Sequence, residues 1–225
     1  YFQDDIFVAD NDNFEDETFS RFDAAATFGG PIVQDKAWFF ASYRIVNRED
    51  DVVAPEGNFL RSVENEADQG FAKVSWALTD SDLLTGTFLS APTDISGSRS
   101  STTSNARDFA REQGGDRFAI GYNRVWNAFN LELGYYDHTA ALNDVSVIAE
   151  ARNTIAFRPG DTFTLQQEQL GGEGSNDEIT RANDLVRGSL EYLLSTDSVG
   201  DHTIKFGYDL GESSLFENEQ FLGSP

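Results

Sequence analysis

The chain has no cysteine, which excludes a disulfide framework, a thiolate metal site and a thiol nucleophile. It has no methionine, not even at position 1, so the expectation is a processed chain or a piece of a longer one. The N-terminus shows no apolar segment flanked by Lys or Arg, and thus no visible signal peptide. No apolar run approaches the length of a transmembrane helix. That excludes helical membrane spans and leaves a β-barrel open, because barrel strands alternate and average out as polar. Basic residues are scarce: 16 Lys and Arg stand against 39 Asp and Glu, a net charge of −23. Phosphate backbones need Lys/Arg clusters, so nucleic acid is not an expected partner. An acidic balance instead implies a solvated, self-repelling surface.

What is present is aromatic and turn-forming: 19 Phe and 19 Gly argue against disorder, and Phe, Tyr, Gly, Thr and Asp together read as strands and turns. The stretch Phe28-Gly29-Gly30-Pro31-Ile32-Val33-Gln34-Asp35-Lys36 reads as a tight turn, with Gly29 and Gly30 supplying backbone angles and Pro31 fixing φ. Trp38, Phe39 and Phe40 follow it directly. Strands are expected at 21–28, 37–46, 70–78, 83–90, 117–126, 130–140, 184–194 and 202–210. The clearest is 70–78, where Ala72, Val74, Trp76 and Leu78 alternate with Phe71, Lys73, Ser75 and Ala77. A further hairpin is expected within 154–170, about Pro159-Gly160-Asp161.

The connections alternate in length. Short ones fall at 29–36, 79–82, 127–129 and 195–201; long ones fall at 47–68, 91–114 and 142–180. A soluble sandwich has no reason to put its long loops at one end, whereas a barrel of the outer-membrane kind has short turns on one side and long loops on the other. Strands of about ten residues suit a tilted bilayer crossing. Trp38, Trp76 and Trp126 each lie close to a short turn, as an interfacial belt requires. Trp38 to Phe40 are expected in that belt. Opposite the apolar residues recur Lys73, Ser75, Glu132, His138, Arg187, Ser189, Glu191, Lys205 and Asp209. In a barrel this face lines the lumen; in a sandwich it meets solvent. With short turns inward, both chain ends point outward, so the expectation is an interior piece of a larger barrel. The fold class is therefore all-β: an antiparallel up-and-down transmembrane barrel segment of about eight strands, occupying 1–225 as one partial barrel domain.

Several motifs carry a family resemblance. Gly29-Gly30-Pro31-Ile32-Val33-Gln34-Asp35-Lys36, followed by Trp38-Phe39-Phe40-Ala41-Ser42-Tyr43, resembles a segment of TonB-dependent receptors, nearest to the Oar-like subgroup with a carboxypeptidase-regulatory-like domain. Tyr1-Phe2-Gln3-Asp4-Asp5, the stretch 71–86 and His202-Thr203-Ile204-Lys205-Phe206-Gly207-Tyr208-Asp209 are similar to weaker motifs of that family. Arg44 departs from its usual Tyr-Glu, and Ala37-Trp38 from its Leu-Phe type pair. The resemblance implies a bacterial outer-membrane location, a barrel of about 22 strands, and a signal peptide, N-terminal extension and plug outside this stretch. It also implies TonB-energised uptake through that plug, with outer-membrane lipid, lipopolysaccharide and an extracellular ligand as partners.

No covalent chemistry is expected. Asp10-Asn11-Asp12-Asn13 has ligand-like alternation but lacks the glycine of a calcium loop, so no metal is assigned. His138 lies near Glu132, and Ser146 follows it by eight residues, but no nucleophile motif surrounds any serine. Gly171-Gly172-Glu173-Gly174 lacks the strand–helix context of a phosphate loop. No catalytic residue and no cofactor is assigned. The ligand-facing candidates are the loops 47–68, 91–114 and 142–180. Their acidity favours peptides, cationic or neutral ligands, or divalent-bridged lipopolysaccharide over anions. The alternative to a transporter barrel is a soluble, acidic, β-rich binding or adhesion module.

Overall fold

The structure is a computed structural model and describes residues 18–54, 57–101, 103, 105–149, 172–198 and 200–223. The 1–5 motif, the Asp10–Asn13 stretch and the hairpin expected within 154–170 lie outside the described residues. Nine strands form one antiparallel sheet: β1 (Phe19–Val33), β2 (Ala37–Val53), β3 (Phe59–Thr79), β4 (Asp82–Ser90), β5 (Thr93–Ser96), β6 (Phe109–Trp126), β7 (Phe129–Ser146), β8 (Ser175–Thr196) and β9 (Gly200–Phe221). They lie side by side in chain order, with β5 paired to β3 and β6 where β4 ends. The register is the same across β4 and β5, so 82–96 is one line of strand interrupted at Ala91-Pro92. Pro92 has no N–H to give; its carbonyl accepts from Asp68 N–H at 3.1 Å, and Ala91 N–H donates to the Gly115 carbonyl at 3.1 Å. Among the described residues the one helical element is a 3-10 turn at Asn105–Arg107.

The expected strands exist, but most are far longer than expected. β3 has 21 residues and β8 and β9 have 22 each. One of the expected long loops is largely ladder, since 47–53 and 59–68 pair with each other and leave only 54–58 as connection, and a second is partly so, with 93–96 in β5 and 109–114 in β6. The third shrinks because β7 runs to Ser146 and β8 begins at Ser175. Polar residues at both faces hid these ends: on β3, Ser62, Glu64, Glu66 and Asp68 alternate with Arg61, Val63, Asn65 and Ala67, and no apolar stripe marks the period.

The opening motif also needs correction. Gly29, Gly30 and Pro31 are strand residues, opposite Phe40, Phe39 and Trp38. The left-handed residue of the turn is Asp35, at φ 59°, and Lys36 N–H closes the turn on the Val33 carbonyl at 3.1 Å. A Cβ at Gly29 would lie 2.9 Å from the Phe39 carbonyl oxygen and 3.4 Å from the Phe40 ring, so the glycine gives room to an aromatic neighbour. Trp38 and Phe40 share the face of Lys73 and Ser75, not that of Trp76. They are therefore not in one belt with Trp76 and Trp126.

Strand tilt follows from the register. Ala37, the first residue of β2, lies in one lateral row with Trp76, Leu84, Tyr122, Leu133, Gly188 and Tyr208. Tyr208 is eight residues into β9, which begins at Gly200. The short turns thus climb about 26 Å along the strands while crossing six inter-strand gaps, about 29 Å. The strands are inclined by about 40° to the normal of the line through the turns, the inclination of barrel strands.

The sheet is a single layer. Its accessible surface is 15988 Å², against about 10,000 Å² for a compact monomer of this mass. Among the described residues the buried hydrophobic side chains are Ala37, Val52, Val63 and Ala67. One close backbone approach shapes the sheet: a Cβ at Gly115 would lie 2.0 Å from the Thr139 carbonyl oxygen, whereas one at Gly70 would meet nothing within 4 Å. Gly115→Ala is expected to destabilise the protein by about 2 kcal/mol, while Gly70→Ala stays within about 0.5 kcal/mol. Denaturant titration of the two variants in parallel checks this, and equal midpoints would contradict it.

Candidate functional site

Apart from shifts beside the connections, at Pro31/Val33, Val52/Val53 and Ala77/Thr79, the register is continuous and assigns the strand side chains to two faces, and the charges sort between them. One face, here the mixed face, carries Arg21, Arg44, Arg48, Arg61, Lys73, Arg111, Arg117, Arg181, Arg187 and Lys205 together with ten carboxylates. The other, the belt face, carries thirteen carboxylates and a single cation, Arg124. The net charge of the strands therefore lies on the belt face, and the mixed face is balanced.

On the belt face the charges avoid a band, whose short-turn border is marked by Arg124, opposite Leu131, and its partner Asp82 at 3.6 Å. From Phe129 through Leu131, Leu133 and Tyr135 of β7 no charge appears until Asp137; on β8 none appears from Tyr192 through Val186 until Asp184. Phe118 and Ile120 on β6 and Ile204, Phe206, Tyr208 and Leu210 on β9 continue it, and all six are exposed. The β7 stretch spans about 20 Å along the inclined normal. Stacked aromatics border the band near the short turns, with ring centroids 5.4 Å apart for Trp126–Phe129 and 4.7 Å for Phe129–Tyr192. At its other border, tyrosine hydroxyls donate to carboxylates: Tyr43 to Asp68 and Tyr135 to Asp184, each at 2.7 Å. Beyond the band, Thr18 and Ser62 hydroxyls donate to Asp51 and hold its carboxyl below the usual carboxylate range.

At the height of that band the mixed face is charged and cross-linked. Lys73, Glu132, His138, Arg187, Glu191, Lys205 and Asp209 all stand on it. Arg187 pairs with Asp209 through two bonds of 2.8 and 3.1 Å, Lys205 approaches Glu191 at 3.8 Å, and Ser189 donates to Glu132 at 3.2 Å. A shallow depression of about 220 Å³ lies here, lined by Thr85, Gly121, Asn123, Glu132, Gly134 and Arg187, among others. His138, Glu132 and Ser146 are not brought together. His138 Nδ1 lies 3.2 Å from the Asp116 carbonyl oxygen and the Ser146 hydroxyl donates to the Ile148 carbonyl at 2.9 Å, while Glu132 is six strand residues from His138, about 20 Å.

The outer end holds a feature that periodicity could not reveal. Arg61 is 5% exposed on the mixed face. Its guanidinium donates to the carbonyls of Ser98, Ser100 and Thr103 and to the Asn105 side chain, and pairs with Asp108 at 3.0 Å. Asn105 donates in turn to the Leu60 carbonyl at 3.0 Å. One arginine thus gathers the 97–108 connection over Val52 and Val63. The only sequence signal was a charged residue among polar ones. The candidate loop 91–114 is therefore a fixed ledge at this point, folded against the mixed face.

The class these features define is an antiparallel, up-and-down, single-layer sheet of barrel type, with a charge-free band on one face. The fold is similar to that of the outer membrane transporter YddB from Escherichia coli, known from its crystal structure, with a TM-score of 0.68 and 14% sequence identity. The match covers 88% of this chain and 26% of that one, so the chain spans about a quarter of that transporter's length. No protein-family model matches the chain, and neither does any curated protein sequence.

Arg61→Ala removes the shared partner of five groups and leaves Asp108 without its cation. The expected cost is about 3–5 kcal/mol, with cleavage within 97–108 accelerated in limited proteolysis. Arg61→Lys is expected to behave nearly as badly, since an ammonium cannot reproduce the planar fork. Protection equal to wild type in either variant would refute the role given to Arg61.

Proposed function

We propose that this chain is a wall segment of a bacterial outer-membrane transport barrel, with its belt face against lipid and its mixed face lining the interior. The observation that carries this reading is the contrast at one height: no charge on the belt face of β7 from Phe129 to Tyr135 or of β8 from Tyr192 to Val186, and Glu132, Arg187, Glu191, Lys205 and Asp209 on the other face. Hydrocarbon tolerates the first arrangement and not the second. A strand inclination of about 40° and aromatic rows at both borders of the band support the same reading. The long ribbons beyond the band then stand outside the cell, and the short turns face the periplasm.

Within this reading, uptake is energised through TonB acting on a plug, as the Gly29–Tyr43 motif of the receptor family suggests. The barrel contributes no covalent chemistry; it supplies a rigid wall, and the outer ribbons capture solute. A soluble binding module is disfavoured because among the described residues neither face is covered by a second layer, and a sheet with this much exposed apolar surface needs one.

Two measurements test the proposal. The intact protein is expected in the outer-membrane fraction, extractable only with detergent and migrating differently on gels before and after heating; a folded, detergent-free soluble monomer would overturn it. Leu133→Arg, in the middle of the band, is expected to cost about 2–4 kcal/mol in lipid-vesicle unfolding. Thr87→Arg, on the mixed face at similar height, is expected to cost far less, and the reverse order would exchange the two faces.

A further inference from the structure

We propose that the mixed face carries a binding strip for a polyanionic solute at the outer end of β1 and β2, built from Arg21, Arg44, Arg48 and Arg99. The inference rests on the reading that this face lines the passage, and it names the chemical class of solute.

The four guanidinium groups form two Arg–Asp–Arg bridges set end to end. Asp23 accepts from Arg21 at 3.0 Å and from Arg44 at 2.9 and 2.6 Å. Asp50 lies 2.8 Å from Arg48 and 3.3 Å from Arg99, which the ledge brings in. The bridges meet where Arg21 stands directly opposite Arg48. Like charges in directly opposed positions repel, and a sheet retains such a pair at low cost only where a counter-charge reaches it. The strip carries four cations and two carboxylates. Its roughly twenty N–H donors exceed the roughly eight acceptor sites those carboxylates offer, and the arginine side chains are 43–59% exposed.

Among the described residues the surroundings do not neutralise it. Opposite Arg48 and Arg44 on β3 stand Asn65 and Gln69, uncharged and able to donate. The neighbouring carboxylates Glu49, Asp51, Glu64, Glu66 and Asp68 all stand on the belt face. Asp108 and Asp144 are engaged by Arg61 and Arg111. Guanidinium groups bind carboxylate and phosphate oxygens in a bidentate fork, so adjoining forks select a solute with more than one such group. The carboxylates of 47–53 and 59–68, which by count alone favour cationic or neutral ligands, stand on the other face apart from Asp50 and leave this strip cationic.

The test is calorimetric titration of the intact detergent-solubilised protein with pyrophosphate and with tricarballylate, and with spermidine as a cation. Saturable binding of at least one anion and none of spermidine is expected, and which anion binds more tightly separates phosphate from carboxylate recognition. The double variant Arg21→Gln/Arg48→Gln is expected to weaken that binding at least ten-fold. Asp50→Asn, which frees Arg48 and Arg99, is expected to strengthen it several-fold, and Arg124→Gln on the belt face to leave it unchanged. Absence of saturable anion binding, or a double variant that binds as wild type while Asp50→Asn gains nothing, would overturn the proposal. Heat-modifiable migration of the same preparation reports on the barrel reading separately, so a failure of the strip and a failure of the barrel give different results.

Discussion

The structure depends on one constraint: a ladder that continues from β1 to β9 with each strand antiparallel to the next. The ladder satisfies backbone donors and acceptors within the sheet, so no second layer is needed for that purpose. It also makes alternation strict, and a shift of one residue would exchange the two faces of a strand. Every property of this chain that bears on function is a property of one face or the other. Among the described residues the few buried hydrophobic side chains are Ala37, beside a short turn, and Val52, Val63 and Ala67 on the β2–β3 ribbon; the rest of the sheet has surfaces in place of a core.

Viewed by face, the acidic character of the chain changes meaning. Thirteen carboxylates and one cation on the belt face carry the strand net charge, and they flank a band that carries none. The mixed face holds equal numbers of both signs, linked across strands by pairs such as Arg187–Asp209. At its outer end Arg61 uses its donor fork on backbone carbonyls and one carboxylate, which turns a polar connection into a ledge and places Arg99 beside Asp50. The same residue type has two roles there: buried and satisfied at Arg61, exposed and in excess of its partners at Arg21, Arg44, Arg48 and Arg99.

Much of the fold was legible. The short turns at 34–36, 80–81 and 127–128 carry Asp, Asn and Ser chemistry that stops a ladder, and strands with one apolar face, such as 70–78, show their period directly. The sharing of one face by Lys73, Glu132, His138, Arg187, Glu191, Lys205 and Asp209 was legible for the same reason. The strand extensions were not, because a strand with polar residues on both sides has no hydrophobic period to read. Gly29-Gly30 resembled a turn because glycine and proline mark turns more often than strands; here Gly29 yields space to Phe40. Trp38 lies near the turn as Trp76 does, but its parity relative to Trp76 puts it on the opposite face.

The sequence alone determined the alternation within each strand and the turn positions, since both depend on neighbours a few residues apart. It also determined the absence of thiol chemistry and of long apolar helices, which is a matter of composition. Only the tertiary structure decided which residues of different strands stand opposite one another. Register between strands fixes the inclination of the sheet, the height at which the band begins and ends, and the meeting of Arg21 with Arg48. These are sums over many ladder pairs across residues 19–221, and no local pattern contains them. The capture of the 97–108 connection by Arg61 is of the same kind: five groups drawn from 98–108 converge on one side chain because the sheet has already placed β3 and β6 around them.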